Sequence, residues 1–179
     1  MHEVWVTVQQ EFSDLPDLTE FTRVFVRLIV AILLGAVLGY EREYRGTGAG
    51  LRTHMLVALG AALFVLVPLQ AGMEVDDLSR VLQGLISGIG FLGAGAIIKL
   101  SRDREIRGLT TAATIWVTAA IGVAAGMGRE ATAILSTLLT LCILALSHRN
   151  TDIKKISDAD TDDAGGRPER TTDKERDEM

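Results

Sequence analysis

Of 179 residues only one is cysteine, Cys142, and it lies inside an apolar stretch, which excludes an intrachain disulfide and leaves it as a small packing residue. No Gly-x-x-x-x-Gly-Lys-Ser/Thr loop occurs, so nothing here is built to hydrolyse ATP. No paired catalytic carboxylates, metal-ligand cluster or nucleophile–base pair stands out. The chain is therefore expected not to be an enzyme and to need no cofactor or resident metal. The first twenty residues carry five acids and no Lys or Arg. They also lack a short apolar core with a cleavage site, so no cleavable signal peptide is expected.

What the sequence does have is apolar residues, at 48% of the chain, with a positive mean hydropathy. They come in five blocks, roughly Phe21–Tyr40, Leu51–Leu69, Val81–Ile98, Leu109–Met127 and Ala131–Ser147. Each is about 17–20 residues long, enough for a helix to cross about 30 Å of hydrocarbon. A soluble protein of this size could hide one or two helices that are apolar all round, but not five. The expected fold is all-α, a polytopic membrane protein with five transmembrane helices over residues 21–148.

Charge in the joints orients the helices. The segment 1–20 and the joint Glu74–Arg80 are acidic, whereas Arg42, Arg45, Arg52, Lys99, Arg102, Arg104, Arg107, Arg149, Lys154 and Lys155 fall on the alternate side. The positive-inside rule then puts the N-terminus outside and the C-terminus in the cytoplasm. Residues 149–179 form a charged tail with almost nothing apolar to bury, expected to be disordered. Asp158, Asp160, Asp162 and Glu169 echo a calcium loop, but Asp163 replaces its glycine and Pro168 interrupts it, so no calcium site is assigned.

Gly88-x-Gly90-x-x-Gly93 has the spacing of a dinucleotide loop, yet an apolar run leads into it without a strand, and no acid follows about 20 residues later. The fingerprint is rejected. At about 100° per residue, Gly84, Ser87, Gly88, Phe91 and Gly95 share one helix face, with Gly90 and Gly93 on the other side. Glycine costs up to about 1 kcal/mol in a helix interior, so five glycines here imply a gain. Close packing against neighbours is the favoured reading, with the threonine face of the fourth stretch or a second copy of the same seam as partner. A thinned helix lining an ion path is the alternative.

Three polar sets remain. Glu41, Arg42, Glu43, Arg45, Arg52, Thr53 and His54 crowd the first basic joint, where Glu41 and Arg45 have the spacing and order of a helical ion pair. They form either an ordinary joint with snorkelling charges or, folded back with Lys99–Arg107, a charged cytoplasmic site. Thr110, Thr111, Thr114 and Thr118 fall within about 100° of arc on the fourth stretch. They read as a polar packing seam, or else as a hydroxyl-lined path. Arg23 and Arg27, one turn apart near the outer end of the first stretch, read as headgroup anchors.

The run Gly39-Tyr-Glu-Arg-Glu-Tyr-Arg-Gly46, followed by Ala49-Gly-Leu-Arg-Thr-His-Met-Leu-Val-Ala-Leu-Gly-Ala-Ala-Leu-Phe64, resembles the MgtC/SapB family of bacterial membrane proteins. So do Ser87–Ile98 and Arg107–Gly122, in the same order, and the resemblance covers roughly residues 20–148. It implies a link to growth in low magnesium and to survival of pathogens inside macrophages. Well-known members look like regulators that restrain the proton-driven ATP synthase rather than magnesium pumps. They also carry a soluble C-terminal domain. This chain runs about thirty residues past its fifth apolar stretch, which suggests a short, membrane-only branch.

Two functions of different class follow. The favoured one is a non-enzymatic regulator or accessory module, linked to magnesium homeostasis or membrane energetics and acting through helix contacts. Its expected partners are the lipid bilayer and a second copy or another membrane complex, not nucleic acid. The other is a small transporter or channel for a divalent cation. Dedicated magnesium sites use carboxylates, and the last four stretches have none at mid-membrane depth.

Overall fold

A backbone in hydrocarbon has no water to bond, so an apolar stretch there must satisfy its own N–H and C=O groups as a helix. The computed structural model, which describes residues 2–11, 17–97 and 108–146, contains a helix over each apolar stretch. In chain order the helices are α1 (His2–Glu11), α2 (Leu18–Tyr44), α3 (Leu51–Gln70), α4 (Leu78–Ile97), α5 (Leu109–Gly126) and α6 (Glu130–Leu146). The helices α2 to α5 are long and apolar enough to cross a membrane, so the chain is an all-α, multi-pass membrane protein. The fifth expected span, α6, has 17 described residues, about 25 Å at about 1.5 Å per residue.

Two boundaries differ from those read in the sequence. The segment 1–20 contains a helix, α1, which its mixed composition did not reveal. The first span is 27 residues, not about twenty, because its polar ends at Leu18–Thr22 and Glu41–Tyr44 stay helical. The tail and the joint Lys99–Arg107 lie outside the described residues.

Residues 1–141 form one compact unit, and Cys142–Leu146 completes α6 beyond it. Within the first unit α3 packs on α2 and on α5, while α4 leans mainly on α5. Small side chains set these contacts. A Cβ on Gly35 would come 2.7 Å from the His54 carbonyl oxygen, and one on Gly39 would come 2.7 Å from Leu51 Cα, so α2 and α3 run antiparallel with backbones nearly touching. On α5, Gly122 abuts the Ala58 carbonyl, and a Cβ on Gly126 would lie 2.5 Å from that of Ala62. Both numbers rise together, so α3 and α5 run parallel. The core between them is correspondingly small-grained: Ala31, Leu38, Ala58, Ala62, Ile121, Ala125 and, from α6, Ala133.

The third-stretch glycines do not join this seam. Helix α4 turns Leu85, Ile89 and Ala96 toward a second cluster with Ile115 and Ala119, and Gly93 meets Ala112 at 3.6 Å from a would-be Cβ. Among the described residues nothing lies within 4 Å of a Cβ at Gly84, Gly88, Gly90 or Gly95. The expected pairing of the Gly84/Gly88/Gly95 seam with the threonine face of α5 is therefore not formed among the described residues. That threonine face is committed to α3 instead, because Thr118 lies one turn before Gly122 on the same side.

Candidate functional site

The polar residues collect where α2 ends and α3 begins. Helix α2 stops at Tyr44, and Gly46 takes the left-handed φ of 67° that lets the chain turn. Thr47 holds the turn closed: its hydroxyl donates to the Arg42 carbonyl at 2.8 Å, and its N–H donates to the same oxygen at 3.2 Å. Glu43 then reaches across the joint, where its Oε2 accepts the Leu51 N–H at 2.7 Å. A carboxylate at the first turn of α3 both satisfies an orphan donor and suits the positive end of the helix dipole.

The Glu41 carboxylate pairs with the Arg45 guanidinium one turn on, as the spacing leads one to expect, and lies 3.7 Å from Arg42 Nη1. Arg42 is buried, as is His54 on α3. The His54 Nδ1 lies 2.9 Å from the Gly50 carbonyl. A carbonyl cannot donate, so Nδ1 carries the proton and Nε2 faces inward. Both Nε2 and the Arg42 Nε are buried without a hydrogen-bond partner among the described residues.

Helix register brings the second polar set to the same place. Ala62 is level with Gly126 and Ala58 with Gly122, so one turn earlier His54 is level with Thr118. Both are fully buried. Below them Thr114 and Thr111 continue the buried face. Their hydroxyls are largely spent within the helix: Thr118 donates to the Thr114 carbonyl at 2.8 Å, and Thr114 to that of Thr110 at 2.7 Å. Such back-bonding lets a threonine sit in an apolar seam without exposing a free donor.

The structure thus brings together Glu41, Arg42, Glu43, Arg45 and His54, with Thr111, Thr114 and Thr118 along the adjoining wall. Arg52, Thr53 and Thr110 are exposed and stand apart. Arg107, expected to complete the charged site, lies outside the described residues. The residues that sequence reasoning passed over are Gly35, Gly39, Gly122 and Gly126, which allow the helices to meet around His54. Their signal was present as two glycine pairs spaced i, i+4, each on one helix face.

Comparison with known proteins places the chain in a family. The pattern of the MgtC family matches residues 28–153, which includes the joint, both glycine pairs and the threonine face. Over 130 residues the chain is 46% identical to the protein SrpB of Synechococcus elongatus, covering 66% of this chain and 71% of SrpB. It is 44% identical over 133 residues to YhiD of Escherichia coli K12, a protein named as a candidate magnesium transporter. That match covers 70% of this chain and 61% of YhiD. The protein MgtC of Salmonella typhimurium LT2 is 45% identical over 117 residues, 65% of this chain and 49% of MgtC. The chain therefore spans between half and seven tenths of these relatives' length. No solved structure matches. By the extent of the family match, over most of its length and all four of its long apolar helices, this chain belongs to the MgtC family.

Proposed function

We propose that the protein is a regulatory or accessory module of a bacterial inner membrane, linked to magnesium homeostasis and acting through helix contacts rather than by carrying an ion. The observation that carries this reading is the closed seam of α2, α3 and α5. Gly35 and Gly39 bring α2 against the α3 backbone, and Gly122 and Gly126 bring α5 against the Ala58 and Ala62 carbonyls. Helices in such contact leave no room between them for a hydrated cation. The Thr114 and Thr118 hydroxyls, which would line a path, are turned back on their own helix. By contrast α4 leaves most of its surface open, with Phe91 81% exposed, as a module that binds another membrane helix would. A second copy or a different membrane complex is the partner this reading calls for.

One observation favours the transporter reading: the His54 Nε2, buried and without a hydrogen-bond partner among the described residues. Liposomes holding the purified chain decide between the two. The expected result is no magnesium flux above that of protein-free vesicles. A flux that His54→Ala removes would replace this proposal with a transporter. The proposed orientation, N-terminus outside, rests on the charge asymmetry of the joints. A reporter fused at Met73 should read extracytoplasmic and one at Lys155 cytoplasmic; the opposite readings would reverse it.

A further inference from the structure

At the end of the bundle opposite the Glu41–His54 joint, an open groove of about 630 Å³ runs between the start of α2 and the turn from α5 to α6. Leu18, Arg23, Val26 and Arg27 line it on α2, and Gly128 and Glu130 line it across the groove. The turn holds Arg27 in place. Its Nη1 donates to the Gly126 carbonyl at 3.3 Å, at the last residue of α5. The guanidinium also lies where a Cβ on Gly128 would stand, and Gly128 has a left-handed φ of 74°. A positive group at a helix C-terminus is favourable, and Arg27 keeps further donors for a ligand. Arg23 follows one turn away on the same face, exposed.

The groove's depth limits what it meets. Within the stretch Phe21–Tyr40, Arg27 is the last charge before the uncharged run Leu28–Tyr40, and Gly126 ends helix α5. Both therefore mark the boundary between hydrocarbon and headgroups. Two guanidiniums one turn apart suit two oxygens of one phosphate. A carboxylate on the facing wall suits an ammonium and repels a second anion. Val26, toward the apolar side, suits the first carbons of an acyl chain.

We propose that this groove binds the headgroup of a zwitterionic, amine-bearing phospholipid, with Arg23 and Arg27 on the phosphodiester and Glu130 on the ammonium. The test is lipid retention by the full chain, purified in detergent, stripped of lipid and measured by native mass spectrometry. Phosphatidylethanolamine should be retained roughly tenfold better than phosphatidylglycerol. Arg23→Gln should weaken retention of phosphatidylethanolamine roughly tenfold. Arg23 is exposed, so this variant leaves folding intact, whereas Arg27→Gln would also loosen the α5–α6 turn. Glu130→Gln should erase the preference between the two lipids without weakening phosphatidylglycerol. Equal retention by the native protein, or a preference that survives Glu130→Gln, would overturn the assignment of the amine. If inorganic phosphate binds in an Arg23-dependent way while neither lipid is retained, the groove belongs to a free phosphate and the lipid proposal fails.

Discussion

Gly35 and Gly39 on α2, like Gly122 and Gly126 on α5, are spaced four apart, and so are Gly84 and Gly88 on α4. The first two pairs press against the backbone of α3, whereas the α4 pair faces open space. The same spacing thus serves two ends. In the α2–α3–α5 seam a missing side chain brings two backbones together, and the lost helix propensity is offset by packing. On α4 no such return exists among the described residues. Those glycines lie on a surface that lipid or another helix must cover.

This comparison is sharpest where one substitution is made in both places. Gly122→Leu should have the largest effect, because its first side-chain carbon already overlaps the Ala58 carbonyl and no rotamer moves it away. A loss of about 1–3 kcal/mol or more is expected, seen as a marked fall of the unfolding temperature in detergent. A tolerated Gly122→Leu would show that the seam is looser than its geometry. Gly93→Leu should cost less, since its nearest neighbour, Ala112, stands at ordinary contact distance and α4 has an open side toward which it can shift. Gly88→Ala should be the mildest. With nothing near its Cβ, it should stabilise a monomer by about 0.5–1 kcal/mol through helix propensity. If it instead lowers the unfolding temperature or splits an oligomer on a sizing column, α4 packs on a second copy and the contrast between the two glycine sets disappears.

The two ends of the bundle differ in a related way. At the α2–α3 joint, Thr47 and Glu43 tie down the backbone at Arg42 and Leu51, and Arg42 and His54 are buried. At the opposite end Arg23 remains exposed and Arg27 half-buried around an open groove. The closed end rests on local hydrogen bonds, and the open one awaits a ligand. Both ends carry arginine, so residue type alone does not separate them.

Much of this was legible before any coordinates. Hydropathy is a sum over neighbouring residues, so the five apolar stretches and their places in the chain follow from composition alone. The Glu41–Arg45 pair follows from helix spacing in the same way. The short helix α1 was missed because its residues are not periodic enough to stand out from an acidic segment. The closed joint was only half visible, since the hydrogen bond from the Leu51 N–H to Glu43 spans eight residues and a turn.

The sequence by itself determined that this chain is helical, that it crosses a membrane and where its charges cluster, because each depends on residues close together along the chain. Which face of each helix turns inward was decided only by the tertiary structure. Two glycine patterns on different helices look the same until a neighbouring backbone is placed beside one of them. That placement follows from how α2, α3 and α5 fit as a set: three small-residue faces can meet around His54 at once, and doing so leaves the glycines of α4 outside.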